Sequence, residues 1–219
     1  MMKLILLTLI ALAGLSSFVL ADEEEIRRIE LQFLCFDPHE TFSKIYIKGE
    51  KEVQLNSRHP SDSLEVGTKS DQLPIFDKAD TGESKSSFAV SLPAEGSRFL
   101  VVLEKKDNTY SSRVTSIQNF LPGQMLVFND CGKSLGIKTH TGERILLASG
   151  ESLVLIPHAY NIKDSTTFHE ISETGEWKVM RYLNTVYSKS RKEFLFIHYD
   201  EERRLIKFKG ASQFSKPSP

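Results

Sequence analysis

Two thiols and six imidazoles are the side chains of this sequence best suited to nucleophilic or metal chemistry. Cys35 closes the alternating run "RIELQFLC", and Cys131 sits in the turn-like stretch "FNDCGK". Neither is flanked by a His or Asn arrangement that would activate a cysteine nucleophile. His39 and His59 lie in polar stretches, His140 in "KTHTGE", and His158, His169 and His198 farther along. Three histidines on one β module could converge on zinc or copper. The spacing gives no such ligand set: "HE" at His39 and at His169 lacks a second His four residues on, and His-x-His and Cys-x-x-Cys are absent. The expectation is no metal and no cofactor.

Hydrolytic and nucleotide chemistry are equally poorly supplied. There is no Gly-x-Ser-x-Gly elbow, and the serines cluster in stretches such as "SRHPSDS" where small polar side chains favour turns. Phosphate-cradling and dinucleotide glycine patterns are missing. Paired carboxylates for glycosidic cleavage are defined by spatial separation, and the available acids, Glu50, Glu52, Asp77, Asp80, Glu83, Asp200, Glu201 and Glu202, fall at turns and strand ends. The single tryptophan offers one alternative, a sugar-binding platform. Trp177 begins "WKVMRYLNTVYS", in which Trp177, Val179, Tyr182 and Tyr187 would populate alternating faces around a bulge. These four are the candidate ligand-binding residues, and packing is the competing role for the ring.

The N-terminus "MMKLILLTLIALAGLSSFVLA" has one early cation, an apolar stretch and small residues at Val19 and Ala21, the pattern of a cleaved secretory signal. Gly14, Ser16 and Ser17 interrupt it short of the roughly 20 apolar residues that a span requires. The expectation is an exported, periplasmic or extracellular protein starting at Asp22, with no membrane span after cleavage. With 28 Lys+Arg against 29 Asp+Glu the chain is nearly neutral, which argues against a nucleic-acid partner. The basic stretch "SKSRK", Ser188 to Lys192, reads as a solvated hairpin loop. Export makes a disulfide between Cys35 and Cys131 chemically feasible; the preferred expectation is that no bridge forms.

The elements that must position these residues are strands. "RIELQFLCF" alternates, "KIYIK" and "KEVQL" follow polar breaks, and "RFLVVLEKKDNTYSSRV" is apolar on both parities before a Lys-Asp-Asn turn. One turn of helix is expected at Ser116 to Phe120, before Pro122-Gly123. Laying the second half on the first, "LCFD" meets "LVFN" and "KGEKEVQL" meets "HTGERILL" at a shift of about 92 residues. The Thr-Gly-Glu triplets at Gly82 and Gly175 follow at nearly the same shift. This predicts an all-β fold of two tandem β-sandwich, immunoglobulin-like modules related by internal duplication: residues 22–116 and 117–211, with a signal at 1–21 and a disordered tail at 212–219.

The stretches "NFLPGQMLVFND", "LLASGESLVLIP", "GEWKVMRYLNTVYS" and "EFLFIHYD" together resemble a family of exported bacterial all-β proteins of unassigned activity, covering about Asn119 to Lys209. The resemblance implies an envelope protein and carries no catalytic assignment. The resulting functional expectation is a non-enzymatic accessory or protein-interaction module with an envelope protein as partner. The alternatives are a carbohydrate- or small-ligand-binding module centred on Trp177, and a hydrolase built from loop acids and histidines.

Overall fold

A computed structural model of the chain describes residues 26–36, 43–48, 51–77, 86–106 and 109–215. The described residues form sixteen strands and no helix: β1 (Arg27–Cys35), β2 (Lys44–Ile47), β3 (Lys51–Gln54), β4 (Leu64–Thr68), β5 (Gln72–Phe76), β6 (Phe88–Ser91), β7 (Arg98–Lys106), β8 (Thr109–Ser116), β9 (Met125–Asp130), β10 (Leu135–Lys138), β11 (Arg144–Leu147), β12 (Ser152–Leu155), β13 (Lys163–Ile171), β14 (Trp177–Val186), β15 (Arg191–Asp200) and β16 (Leu205–Phe214). They make four four-stranded sheets, β4-β1-β7-β8 and β3-β2-β5-β6 in the first half, β12-β9-β15-β16 and β11-β10-β13-β14 in the second. The strand order is the same in both halves. In each, the first strand lies between the fourth and the seventh, pairing antiparallel with the fourth and parallel with the seventh. The all-β, two-sandwich fold is therefore present.

Alternation explains each core. Ile29, Leu31, Phe33 and Cys35 of β1 point the same way and meet Ile45, Ile47, Leu73 and Ile75 of the facing sheet. Met125, Val127, Leu195 and Ile197 likewise meet Leu135, Ile137 and Phe168. Near the middle of β1, β7, β9 and β15 the intervening residues Leu34, Leu100, Val102, Leu126, Phe128, Phe194 and Phe196 are also apolar, because there these sheets are covered on both sides. Leu34 and Leu100 pack on Leu126, Phe128, Phe194 and Phe196, with Ile117 and Phe120 of the connecting segment, in a third core between the two sandwiches. Phe36 meets Phe196 edge-on at 4.6 Å and Phe120 meets Phe194 at 5.2 Å. The molecule is thus four sheets deep, with two inner sheets sharing a buried seam. A polar rim surrounds that seam: the Arg113 to Asp130 ion pair, the Thr115 to Ser152 hydroxyl contact at 2.8 Å, and the Ser212 N–H donating to Arg58 O at 2.9 Å.

Local expectations fare unevenly. The hairpin after "RFLVVLEKK" forms, with Lys106 opposite Thr109. Thr-Gly-Glu is a turn device. At 139–143 and at 172–176 the same bonds recur: Thr139 N–H to Glu143 O and Ser172 N–H to Glu176 O, with Gly142 (φ 84) and Gly175 (φ 82) in the left-handed region. The Gly82 copy lies outside the described residues, as do residues 1–25, which hold the expected signal.

Three expectations require correction. Residues 116–120 make a single turn, Phe120 N–H to Ile117 O, and no helix forms before Pro122. "SKSRK" spans the end of the β14–β15 connection and the first two residues of β15, and because these strands belong to different sheets the connection is a crossing between sheets and not a hairpin loop. Ser212 to Phe214, assigned to the tail, are the last rungs of β16 opposite Arg191 to Glu193.

Candidate functional site

The proposed ligand residues divide on the two faces of β14. A bulge against β13 places Arg181 opposite Phe168 but Val179 opposite His169, so Met180 is the extra residue. That shift brings Trp177, Val179 and Tyr182 to the outer face, with Tyr182 71% exposed. Tyr187 departs from the set. It is buried in the second core with its hydroxyl on Met125 Sδ at 4.0 Å, and burial beside Asp164 pushes its phenol well above the usual range. Because it follows the strand's end, its side chain turns into the sandwich, away from the other three.

Trp177 is half-buried, and its ring is already engaged. It lies against Gly136, where an added Cβ would stand 2.7 Å from Cε3, and the Arg144 guanidinium sits over it at 5.3 Å. His169, 7% exposed, packs at 5.3 Å from the indole with neither ring nitrogen hydrogen-bonded. In the first half β2, which holds the place of β10, reads Lys-Ile-Tyr-Ile with no glycine. The sandwich can be built without this stack. These contacts make Trp177 a cover for β10 and β13, and they leave less of its ring for stacking a sugar.

The remaining polar candidates are dispersed. His140 Nδ1 lies 3.1 Å from Asp164 Oδ1, and its ring is 4.8 Å from that of His158, whose backbone N–H donates to Asp164 Oδ2. The adjoining cavity of about 240 Å³ is lined by Thr139, Thr166 and Tyr187 but by no serine or cysteine. His198 stands on β15 at the far margin of the seam, and His59 is on a loop. No group of three His, Cys, Asp or Glu side chains that could hold a metal occurs among the described residues. Glu52 pairs with Lys44 and Tyr46, Asp77 with Ser87, and Asp200 with Lys207, whose hydrogen bond lowers the Asp200 carboxyl to about 2. Glu201 and Glu202 are in the turn after Asp200; His39, Glu50, Asp80 and Glu83 lie outside the described residues.

No bridge joins the cysteines. Cys35 belongs to the first core and Cys131 to the second, and Cys131 is a buried free thiol raised by burial. Next to it, Asn129 is fully buried and saturated: its Nδ2 donates to Lys133 O and Leu147 O at 2.8 and 2.9 Å, and its Oδ1 accepts from Cys131 N–H at 3.1 Å. The asparagine after "LVF" is thus a structural pin of the β9 turn.

A feature that sequence reading did not locate is a cleft along the second sandwich. In the first module the edge strands β6 and β8 come together, and Phe88 stacks on Tyr110 at 4.9 Å with ring planes 9° apart. The corresponding edges of the second module, β14 and β16, approach each other less closely, although Met180 and Leu183 of one and Ile206 and Phe208 of the other pack on the same core. Arg181 spans the gap, its guanidinium 5.1 Å from the Phe208 ring. Two depressions follow the gap. One, of about 450 Å³, is lined by Leu183 to Val186, Glu193 to Leu195, Gly210 to Ser212 and Arg58; the other, of about 370 Å³, by Met180, Arg181, Arg204 to Ile206 and Phe208. Arg191 and Glu193 form an ion pair inside the first, where burial outweighs Arg191 and raises the Glu193 carboxyl. Lys133 and Glu170 pair at the second and hold the Glu170 carboxyl low.

Searches for relatives add nothing to this geometry: no protein-family model matches the chain, and no curated protein matches it significantly.

Proposed function

We propose that the chain is a non-enzymatic, exported interaction protein that holds an extended segment of a partner protein along the cleft between β14 and β16. The observation that carries this reading is the contrast between two sandwiches of one strand order, one closed by Phe88 on Tyr110 and the other bridged by Arg181 on Phe208 with a depression on either side, along two ten-residue edge strands. An edge strand supplies unpaired N–H and C=O groups, and a partner strand satisfies them while its alternate side chains fill pockets. Met180, Leu183, Ile206 and Phe208 are half-buried along the gap and would be covered by such a segment. Export, an envelope partner and descent of the two modules from one duplicated unit belong to this proposal. They are supported by the N-terminal pattern and by the 92-residue shift together with the common strand order.

The carbohydrate alternative is less well supported, since Gly136 and Arg144 occupy the indole. For a hydrolase the oriented His140 is the best starting point, yet its cavity presents no serine or cysteine nucleophile. The test is site-specific photocrosslinking in the native host, with a benzophenone side chain at Leu183 or Ile206 and a control at Glu52 on β3. The expected result is one discrete protein adduct from the cleft positions only. Adducts at all three positions alike, or at none, would reject the reading.

A further inference from the structure

We infer that the segment held in this cleft is acidic at its ends and apolar between them. The inference rests on the proposed strand-binding function and names the chemistry of its partner. Seven charged side chains line the two depressions: Arg58, Arg191 and Glu193 at one, and Lys133, Glu170, Arg181 and Arg204 at the other. Arg191 is matched by Glu193 and Lys133 by Glu170. Arg58, Arg181 and Arg204 make no ion pair among the described residues, so the cleft has three unmatched guanidinium groups and no unmatched carboxylate.

Their placement gives the order of the partner's residues. Arg181 and Arg204 stand at the end bounded by Leu205 to Phe208, and Arg58 at the end bounded by Gly210 to Ser212. The part of β14 running from Arg181 to Val186 extends over roughly 17 Å at about 3.3 Å per residue. A segment of about seven residues covers that length, with carboxylates toward both ends and apolar side chains over Leu183 and Ile206. Guanidinium is suited to this role because its planar fork accepts a carboxylate in two parallel hydrogen bonds. Arg204 also holds a left-handed backbone angle, φ 51, at the close of the β15–β16 turn, where glycine or asparagine is accommodated more easily. A long cation is kept at a position that turn geometry alone would give to another residue.

The experiment uses the full chain and three fluorescein-labelled peptides with a common Val-Thr-Val-Thr-Val centre flanked by Asp, Asn or Lys at both ends, read by fluorescence anisotropy at low and moderate salt. The expected result is that the Asp peptide binds at least about tenfold more tightly than the Lys peptide. That preference should shrink with salt and fall to about twofold in the Arg181→Gln, Arg204→Gln double variant, while the Asn peptide binds both proteins alike. Circular dichroism establishes that the variant keeps its β spectrum, and Arg58→Gln serves as a second, independent variant. Saturable and equal binding of all three peptides would overturn the acidic preference and leave strand addition standing. Failure of every peptide to saturate below about 1 mM would overturn both.

Discussion

Residues with no reactive role explain much of the second module, and two of them give sharp tests. Gly136 is required by the indole on top of it. Gly136→Ala should cost about 1–3 kcal/mol, because the new methyl displaces Trp177 from a packed position. As the chain has a single tryptophan, the same substitution should shift its fluorescence maximum, and in a Trp177→Ala background the cost should largely vanish. Asn129→Ala leaves Leu147 O and the Cys131 N–H without their buried partner and should cost about 2–3 kcal/mol in urea unfolding. Glu193 provides a pH signature. Burial places its folded pKa above the unfolded one, so between the two values the native chain keeps a proton that the unfolded chain has released. Stability should therefore fall as pH rises through that window and stay lower above it, and Glu193→Gln should remove this decline in urea midpoints measured from pH 4 to 8. None of these roles is written in the sequence, since each depends on burial and on which groups the fold brings around the side chain.

At the scale of elements, strands were legible because a period of two is a local property, and the double-parity run around Leu100 correctly signalled a strand covered on both faces. The bulge in β14 was also anticipated, and it is what brings Trp177, Val179 and Tyr182 to one side. What the sequence hid was the company each strand keeps. Nothing local distinguishes β8, closed against β6, from β16, which approaches β14 less closely; the difference lies in Phe88 meeting Tyr110 across a gap. Tyr187 is set apart from the other three for a related reason, since it lies past the strand's last rung and turns into the core. If the Phe88–Tyr110 stack is what zips the first module, Tyr110→Ser should increase hydrogen exchange in β6 and β8 by about tenfold or more while leaving β14 and β16 unchanged, measured by mass spectrometry. Equal protection in wild type and variant would show that the closure has another origin.

For the whole molecule, the third core ties the sandwiches into one cooperative unit, so chemical unfolding should show a single transition. Phe194→Ala removes a ring that is 2% exposed and packed edge-on to Phe120; it should cost about 3–5 kcal/mol, and with Phe128→Ala it should resolve two transitions and broaden the scattering profile. The existence of two modules was readable from a repeated spacing, whereas their docking was not, because both faces of an inner strand look equally apolar whatever covers them. The wiring of each module also orders events in time. A ribosome delivers β1 first, yet one flank of β1 is reserved for β7, whose paired residues begin at Arg98. The nascent first strand must therefore wait, bonded on one side at most, until some seventy further residues have emerged, and the wait is repeated by β9 for β15. Long-range parallel closure of this kind is slow and leaves an adhesive edge exposed in the interim. The period of greatest vulnerability to aggregation thus precedes the arrival of the seventh strand, and its length is set by the distance between the first and seventh strands.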